Sequence, residues 1–323
     1  MTAQHPEMES RHSTSTPPGA SAERRARLQP TLTALIFLLP AFAFLAVFIV
    51  WPILVSIQLS FFDWNGISPT REFAGLANWK ALARDGVFWR ALGNNFMVVA
   101  LSISIQIPVA MALAVLLHRG GRKLKIFKVV YFFPMLMSTV AIGTLFKAVY
   151  NVQFGAINPL VEALGWNSLS QDWLGDPRLA LFSVVAVICW QFTPFYMILF
   201  LARLSGIPEE LREAAAIDGA TGSQLFWRIE FPMMRGIIAT AMTLSLIGSL
   251  KYFDLIWVMT EGGPSRATEL MATYMYKEAF SSFRVGYGST IATAMFVIVM
   301  TTALLTMALG RRRAANTAGA AGI

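Results

Sequence analysis

Six runs of apolar residues, at about 31–60, 92–117, 127–150, 179–203, 234–260 and 288–310, are separated by more polar stretches. Crossing the hydrocarbon of a bilayer as an α-helix takes about 20 apolar residues, and each run is long enough. The pattern predicts an all-α membrane protein with six transmembrane helices, a membrane domain spanning residues 31–310. Pro40, Pro52, Pro108, Pro134 and Pro194 fall inside the runs. In water they would break helices, but in a membrane neighbouring helices can satisfy the carbonyls they free. Residues 1–30 are rich in Ser, Thr, Pro and Gly and read as a disordered tail; residues 311–323 form a second tail. Arg24, Arg25 and Arg27 precede the first run, so a secretory signal is the competing reading. The run is too long for a signal's apolar core, and no convincing cleavage site follows it. It is read as a retained helix.

One polar stretch interrupts this pattern, residues 208–232 within the connection 204–233. It carries Glu209, Glu210, Arg212, Glu213, Asp218, Arg228 and Glu230 and is too polar to enter lipid. Its local signals predict two short helices. Pro208 suits a first helical position and Gly219 the residue just past a helix end. Glu209 and Glu210 then occupy the first turn, where the helix dipole favours negative charge. Thr221 followed by Gln224 predicts a capping box that opens the second helix. Leu211, Ala214 and Ala215 share a face, and small side chains there would let a partner's backbone approach closely.

Composition agrees with the membrane reading: 56% hydrophobic and 14% charged, with mean hydropathy +0.57, far from a soluble domain's roughly 25% charged residues. The formal net charge of +8 comes mainly from Lys and Arg beside apolar segments, so it does not argue for nucleic acid. With the N-terminus inside, the inner segments hold 16 Lys and Arg and the outer loops 8. The positive-inside rule therefore places both termini and the Glu213 stretch in the cytoplasm. Cys189, the single cysteine, lies in an apolar run, and His5, His12 and His118 show no metal-ligand spacing. Trp64, Trp79, Trp89, Trp166 and Trp173 sit in the outer loops and suit the membrane interface.

Glu213-Ala214-Ala215, three residues, Gly219, nine residues, then Ile229-x-Phe231-Pro232 resembles the EAA loop of ABC-importer permease subunits, with Phe where Leu is usual. The resemblance implies a type I ABC-importer permease fold, in which this cytoplasmic loop is the coupling helix that docks on the ATP-hydrolysing subunit. Glu213, Ala214, Ala215, Asp218, Gly219 and Pro232 are then the coupling residues. A second stretch, Phe253-Asp254-x-Ile256-x-x-x-Thr260-x-Gly262-Gly263-Pro264, with Thr268, Tyr274, Tyr276, Phe280 and Gly286-Tyr287, resembles carbohydrate permeases of the maltose-transporter first-subunit type. Phe73-x-Gly75-Leu76-x-Asn78-Trp79 and Asn94-Asn95 extend that match. Two positions depart from it: Lys251, a charge not expected there, and Gly288, where the family usually has alanine. The maltose version's polar groups on the fourth span are absent, with Ile188 and Phe192 in their place, and so is its large outer-loop insertion.

The chain has no G-x-x-x-x-G-K-[ST] phosphate loop and no reactive cluster, so it is not expected to be an enzyme. The resemblance implies partners instead: a second, similar permease, a dimeric ATPase holding ATP and Mg, and an extracytoplasmic solute-binding protein. No cofactor is expected in this chain. For a substrate path, Ser245, Ser249 and Tyr252 recur at i, i+4, i+7 and would form one polar stripe on the fifth helix. Lys251 and Asp254 are spaced to pair, either as part of the path or as a structural ion pair near the outer interface. Trp190 and Phe195, with Gln191 and Tyr196, supply aromatic and amide groups around Pro194 of the kind a sugar site needs, though such spacing also serves packing. Gly262-Gly263-Pro264 is a turn that ends the fifth helix. The expected function is a permease subunit, multi-pass in a bacterial plasma membrane, importing a carbohydrate. A phosphorylated polyol such as glycerol phosphate and an ion-coupled secondary transporter are the alternatives; the latter would need an ion relay and internal repeats, which are not evident.

Overall fold

The computed structural model describes residues 37–120, 125–167 and 170–320. The tail at 1–30 lies outside them, as does the start of the first apolar run. The chain forms two compact units, residues 1–55 and 56–323. In the first, the described residues belong to helix α1 (Phe37–Leu59), apolar around its circumference as a helix facing hydrocarbon must be. A π-helical turn at Ala46–Val50 lies just before Pro52. Proline has no amide hydrogen to return to the preceding turn, and the hydrogen-bond ladder slips there.

The second unit opens with a small antiparallel hairpin, β1 (Phe62–Asp63) paired with β2 (Glu72–Phe73), Phe62 facing Phe73. A short helix α2 (Ala77–Arg84) leads into α3 (Gly86–Arg119). The second predicted span thus begins earlier than its apolar run, because Asp85 caps α3 and accepts from the amides of Val87 and Phe88. The third predicted span, 127–150, is corrected. It is two helices, α4 (Lys125–Leu136) and α5 (Thr139–Val149), bent by 96°. Pro134 lies in the last turn of α4, and Ser138 between the helices is extended with ψ 132°.

After α6 (Ile157–Ala163), α7 (Ala180–Ser205) crosses the core. Next come α8 (Glu209–Ile217), α9 (Gly222–Leu225), a π-helical turn Phe226–Glu230, and α10 (Phe231–Leu250). The fifth predicted span, 234–260, is also corrected: α10 stops at Leu250 and a separate α11 (Asp254–Thr260) follows. Then α12 (Met271–Tyr276) and a π-helical turn Lys277–Ser281 precede α13 (Val285–Ala320). The predicted tail from 311 thus continues the last helix as far as Ala320.

By length and composition α1, α3, α7, the stretch Gly222–Leu250 and α13 can each span a membrane; α4 and α5 make a sixth if they form one span. The core lies where α3 packs along α7, with α10 against both. One apolar cluster joins Val98, Val184, Ile188, Leu255 and Ile256; another joins Ile107, Ala110, Met197, Phe200, Leu204 and Met234.

A buried asparagine, Asn95, explains why α10 stops. The Asn95 amide donates to the carbonyls of Ser249 and Leu250, and its oxygen accepts from the amide of Met271. One side chain from α3 thereby caps the end of α10 and the start of α12. Asn94 holds the connection to α12 by donating to the carbonyls of Ala267 and Glu269. The turn at Gly262–Pro264 ends α11 as predicted, with Glu261 left-handed at φ 52°. There Thr268 donates to the carbonyl of Gly263 at 2.7 Å.

Candidate functional site

Two places gather the candidate residues. The first is the connection from α7 to α10. Pro208 caps α8 with ψ 136° instead of forming its first residue, so that prediction is shifted by one position. Glu209 and Glu210 occupy the first turn. Gly219 follows the Asp218 cap with φ +75°, a left-handed conformation that glycine adopts without strain. The capping box of α9 is present: Gln224 donates its amide to Thr221 Oγ1, and Thr221 its own to Gln224 Oε1 at 2.8 Å.

Glu213, Ala214, Asp218 and Gly219 are exposed, Ala215 is buried, and Pro232 lies in the first turn of α10. The predicted small-residue face is therefore not all outward: Ala215 packs inward, while Leu211 and Ile217 remain exposed beside the acidic groups.

Glu230, which the sequence reading noted only as one of several charges, is the hub of this connection. It is 1% exposed. Arg119, at the end of α3, donates to Glu230 Oε2 at 3.1 Å and to the Gly222 carbonyl. Arg212 of α8 donates to Glu230 Oε1 at 3.3 Å, to Glu209 at 2.8 Å and to the Leu204 carbonyl at 2.7 Å. A buried carboxylate needs such partners, since an unpaired one is strongly destabilising. A sequence signal did exist: an acidic residue directly before an apolar run must find a cation.

The second place is a cavity of about 330 Å³ lined by Gln106, Ile188, Phe192, Tyr196, Ser245, Gly248, Ser249 and residues 251–254. Ser245, Ser249, Tyr252 and Asp254 come together here, but not as one helical stripe. Tyr252 lies beyond the end of α10, in the break that Asn95 caps. The Ser245 and Tyr252 hydroxyls are buried with no hydrogen-bond partner among the described residues. Ser245 lies beside Tyr196 without a hydrogen bond of ordinary geometry to it. Phe192 meets Tyr252 edge-on, with ring centroids 6.1 Å apart.

The Lys251–Asp254 pairing is corrected: the two form no ion pair within 4 Å among the described residues. The broken helix separates them. Lys251 sits just past the negative end of α10 and Asp254 in the first turn of α11, so each charge is matched to a helix end.

Trp190 and Phe195 do not line the cavity. They lie on an outer face of α7, 37% and 36% exposed, with Trp190 edge-on to Phe146. Helical rotation turns their neighbours Phe192 and Tyr196 inward in their place. Gln106, contributed by α3, was not foreseen; a lone glutamine in a run carries no local signal of which neighbour it meets. No cluster of His, Cys, Asp or Glu able to hold a metal occurs among the described residues.

At the N-terminal end of α3, Asp85 joins three elements. Besides capping α3 it accepts from Tyr274 Oη at 2.5 Å and Tyr287 Oη at 2.6 Å. Burial pushes its carboxyl up, but the two hydroxyls and the Val87 and Phe88 amides outweigh this and hold it below its ordinary value.

Residues 106–313 match the family described as binding-protein-dependent transport system inner membrane component. The osmoprotective compounds uptake permease protein GgtC of Synechocystis is 34% identical over 82% of this chain and 94% of its own length. The multiple sugar-binding transport system permease protein MsmF of Streptococcus mutans is 32% identical over 85% of this chain and 94% of its own. Among solved structures, a chain of a bacterial ABC transporter involved in the import of the acidic polysaccharide alginate shares the fold. Its TM-score is 0.77 at 22% identity, covering 90% of this chain and 99% of that one. With six predicted spans, a matched region covering most of the membrane domain and relatives alike over nearly their whole length, this multi-pass chain belongs to the binding-protein-dependent transport system inner membrane components.

Proposed function

We propose that the chain is one of two paired permease subunits of an ATP-driven importer, and that it passes a carbohydrate delivered outside by a solute-binding protein. The reading rests chiefly on the cavity at the break between α10 and α11. A sugar presents many hydroxyl groups and apolar ring faces. The buried Ser245 and Tyr252 hydroxyls have unused hydrogen-bonding capacity, and aromatic rings stand beside them. The sugar name of MsmF supports the substrate class.

In this proposal energy comes from partner ATPase subunits that bind ATP and Mg, and the loop carrying Glu213, Ala214, Asp218 and Gly219 docks on them. Both termini and that loop are cytoplasmic. Closing of the ATPase pair moves the loop and biases the permease pair between inward-open and outward-open states. Such a shift is limited by the difference in affinity for the two states.

The test is Tyr252→Phe in cells that depend on this importer, with uptake of a panel of mono- and disaccharides measured. Reduced uptake with normal assembly is expected; unchanged uptake of every transported sugar would remove the cavity from the path. An anionic polyol such as glycerol phosphate is the second reading, favoured by Lys251, which lines the same cavity and forms no ion pair within 4 Å among the described residues. Asp254 on the same rim weighs against it. Loss of glycerol phosphate uptake in Lys251→Met, with sugars unaffected, would establish the second reading.

A further inference from the structure

We propose that Glu230 is a positioning residue that makes the docking loop and the transmembrane helices move as one lever. The inference rests on the functional reading above and adds to it the part through which force passes. A docking loop transmits motion only if it is stiffly joined to the membrane helices. Short helices α8 and α9 have few residues of their own with which to resist bending.

The joint is built from one carboxylate and two guanidinium groups. Arg212 ties α8 to the carboxylate at 3.3 Å and to the last turns of α7, through the Leu204 carbonyl at 2.7 Å. Arg119 ties the end of α3 to the same carboxylate at 3.1 Å and to the first residue of α9, through the Gly222 carbonyl at 3.1 Å. Glu230 itself closes the π-helical turn that leads into α10. Each oxygen of one buried carboxylate therefore serves a different guanidinium. Helices α3, α7 and α10 all meet the loop at this point. The exposed tip at Glu213, Asp218 and Gly219 makes none of these contacts, so docking and transmission reside in different residues.

The separation is testable without knowing the substrate. Ser249, which lines the cavity, is changed to cysteine as a reporter in a Cys189→Ala background, because Cys189 is a free thiol buried to the same degree as Ser249 (5% and 6% exposed). The whole transporter complex, reconstituted in vesicles, is treated with a membrane-impermeant maleimide, with and without ATP plus vanadate. In the parent complex, trapping opens the path outward and raises the labelling rate. In Glu230→Gln the ATPase subunit still co-purifies, but the rise shrinks about tenfold, within the usual range of coupling between sites. Arg119→Gln, at a half-exposed position, gives the same loss, and the double variant is no worse than either single one. A Glu230→Gln complex with the full nucleotide-dependent rise overturns the proposal. So does failure of both variants to assemble, which would make the network a folding element only. No nucleotide dependence in the parent complex would instead sink the functional reading itself, and that result is visible before any Glu230 variant is made.

Discussion

A buried hydroxyl with no partner costs the fold about 1–3 kcal/mol, so Tyr252 is held in the cavity at a loss unless something else uses it. Tyr252→Phe should leave the melting temperature unchanged or raised while uptake falls. A drop in stability with normal uptake would assign the hydroxyl to structure. Gly288 is the opposite case. An added Cβ would lie 2.7 Å from Ala279 Cβ and 3.0 Å from Ala279 backbone atoms. The close approach of α13 to the Lys277–Ser281 turn thus explains a glycine at this position. Gly288→Ala is expected to destabilise by about 1–3 kcal/mol, as overpacking does, read as a lower melting temperature in detergent. Asp85 makes stability depend on pH. Its carboxyl titrates below the ordinary 3.8 in the folded chain. Its contribution is present above that value and is lost as pH falls through the lowered one. Asp85→Asn should melt well below the parent at neutral pH, and the gap should close in acid; a gap independent of pH would contradict the assignment.

The proposed docking function belongs to the scale of elements. Gly219 has φ +75° and nothing within 4 Å of an added Cβ, so a Cβ there meets no neighbour among the described residues. Asp is among the residues that tolerate this backbone. Gly219→Asp should therefore fold and insert normally yet lose transport-coupled ATPase activity, and Glu213→Lys should do the same. Coupling at the parent level in either variant would count against docking through α8. Much of this connection was legible in the sequence, because caps and turn residues act over a few positions: Glu209, Gly219 and the Thr221–Gln224 box all appear where local chemistry put them. The breaks in the third and fifth spans were not legible. Apolar runs report burial in lipid, not continuity. The stop at Leu250 is imposed by Asn95, more than 150 residues away in sequence. The same holds for the cavity: Ser245 and Tyr252 were found by polarity alone, but facing was misjudged for Trp190 and Phe195, since an evenly apolar helix such as α7 gives no clue to its inner side.

For the whole molecule, the claim is that this chain is a gate without an engine of its own. Among its buried polar groups, Asn95 serves helix ends, Ser245 the cavity and Glu230 the joint. Among the described residues, a stretch both strongly charged and shaped by caps connects α7 to α10. A reporter fused after Arg311 should be active only in the cytoplasm, as the distribution of Lys and Arg requires. The most direct measurement places a photo-crosslinking residue at Ala214, exposed on α8, in cells expressing the full transporter, and identifies the adduct by mass spectrometry. The expected product joins this chain to an ABC ATPase subunit, formed from the cytoplasmic side. An Ala214 site that is reached by impermeant reagents from outside, or that never joins an ATPase subunit, would contradict it.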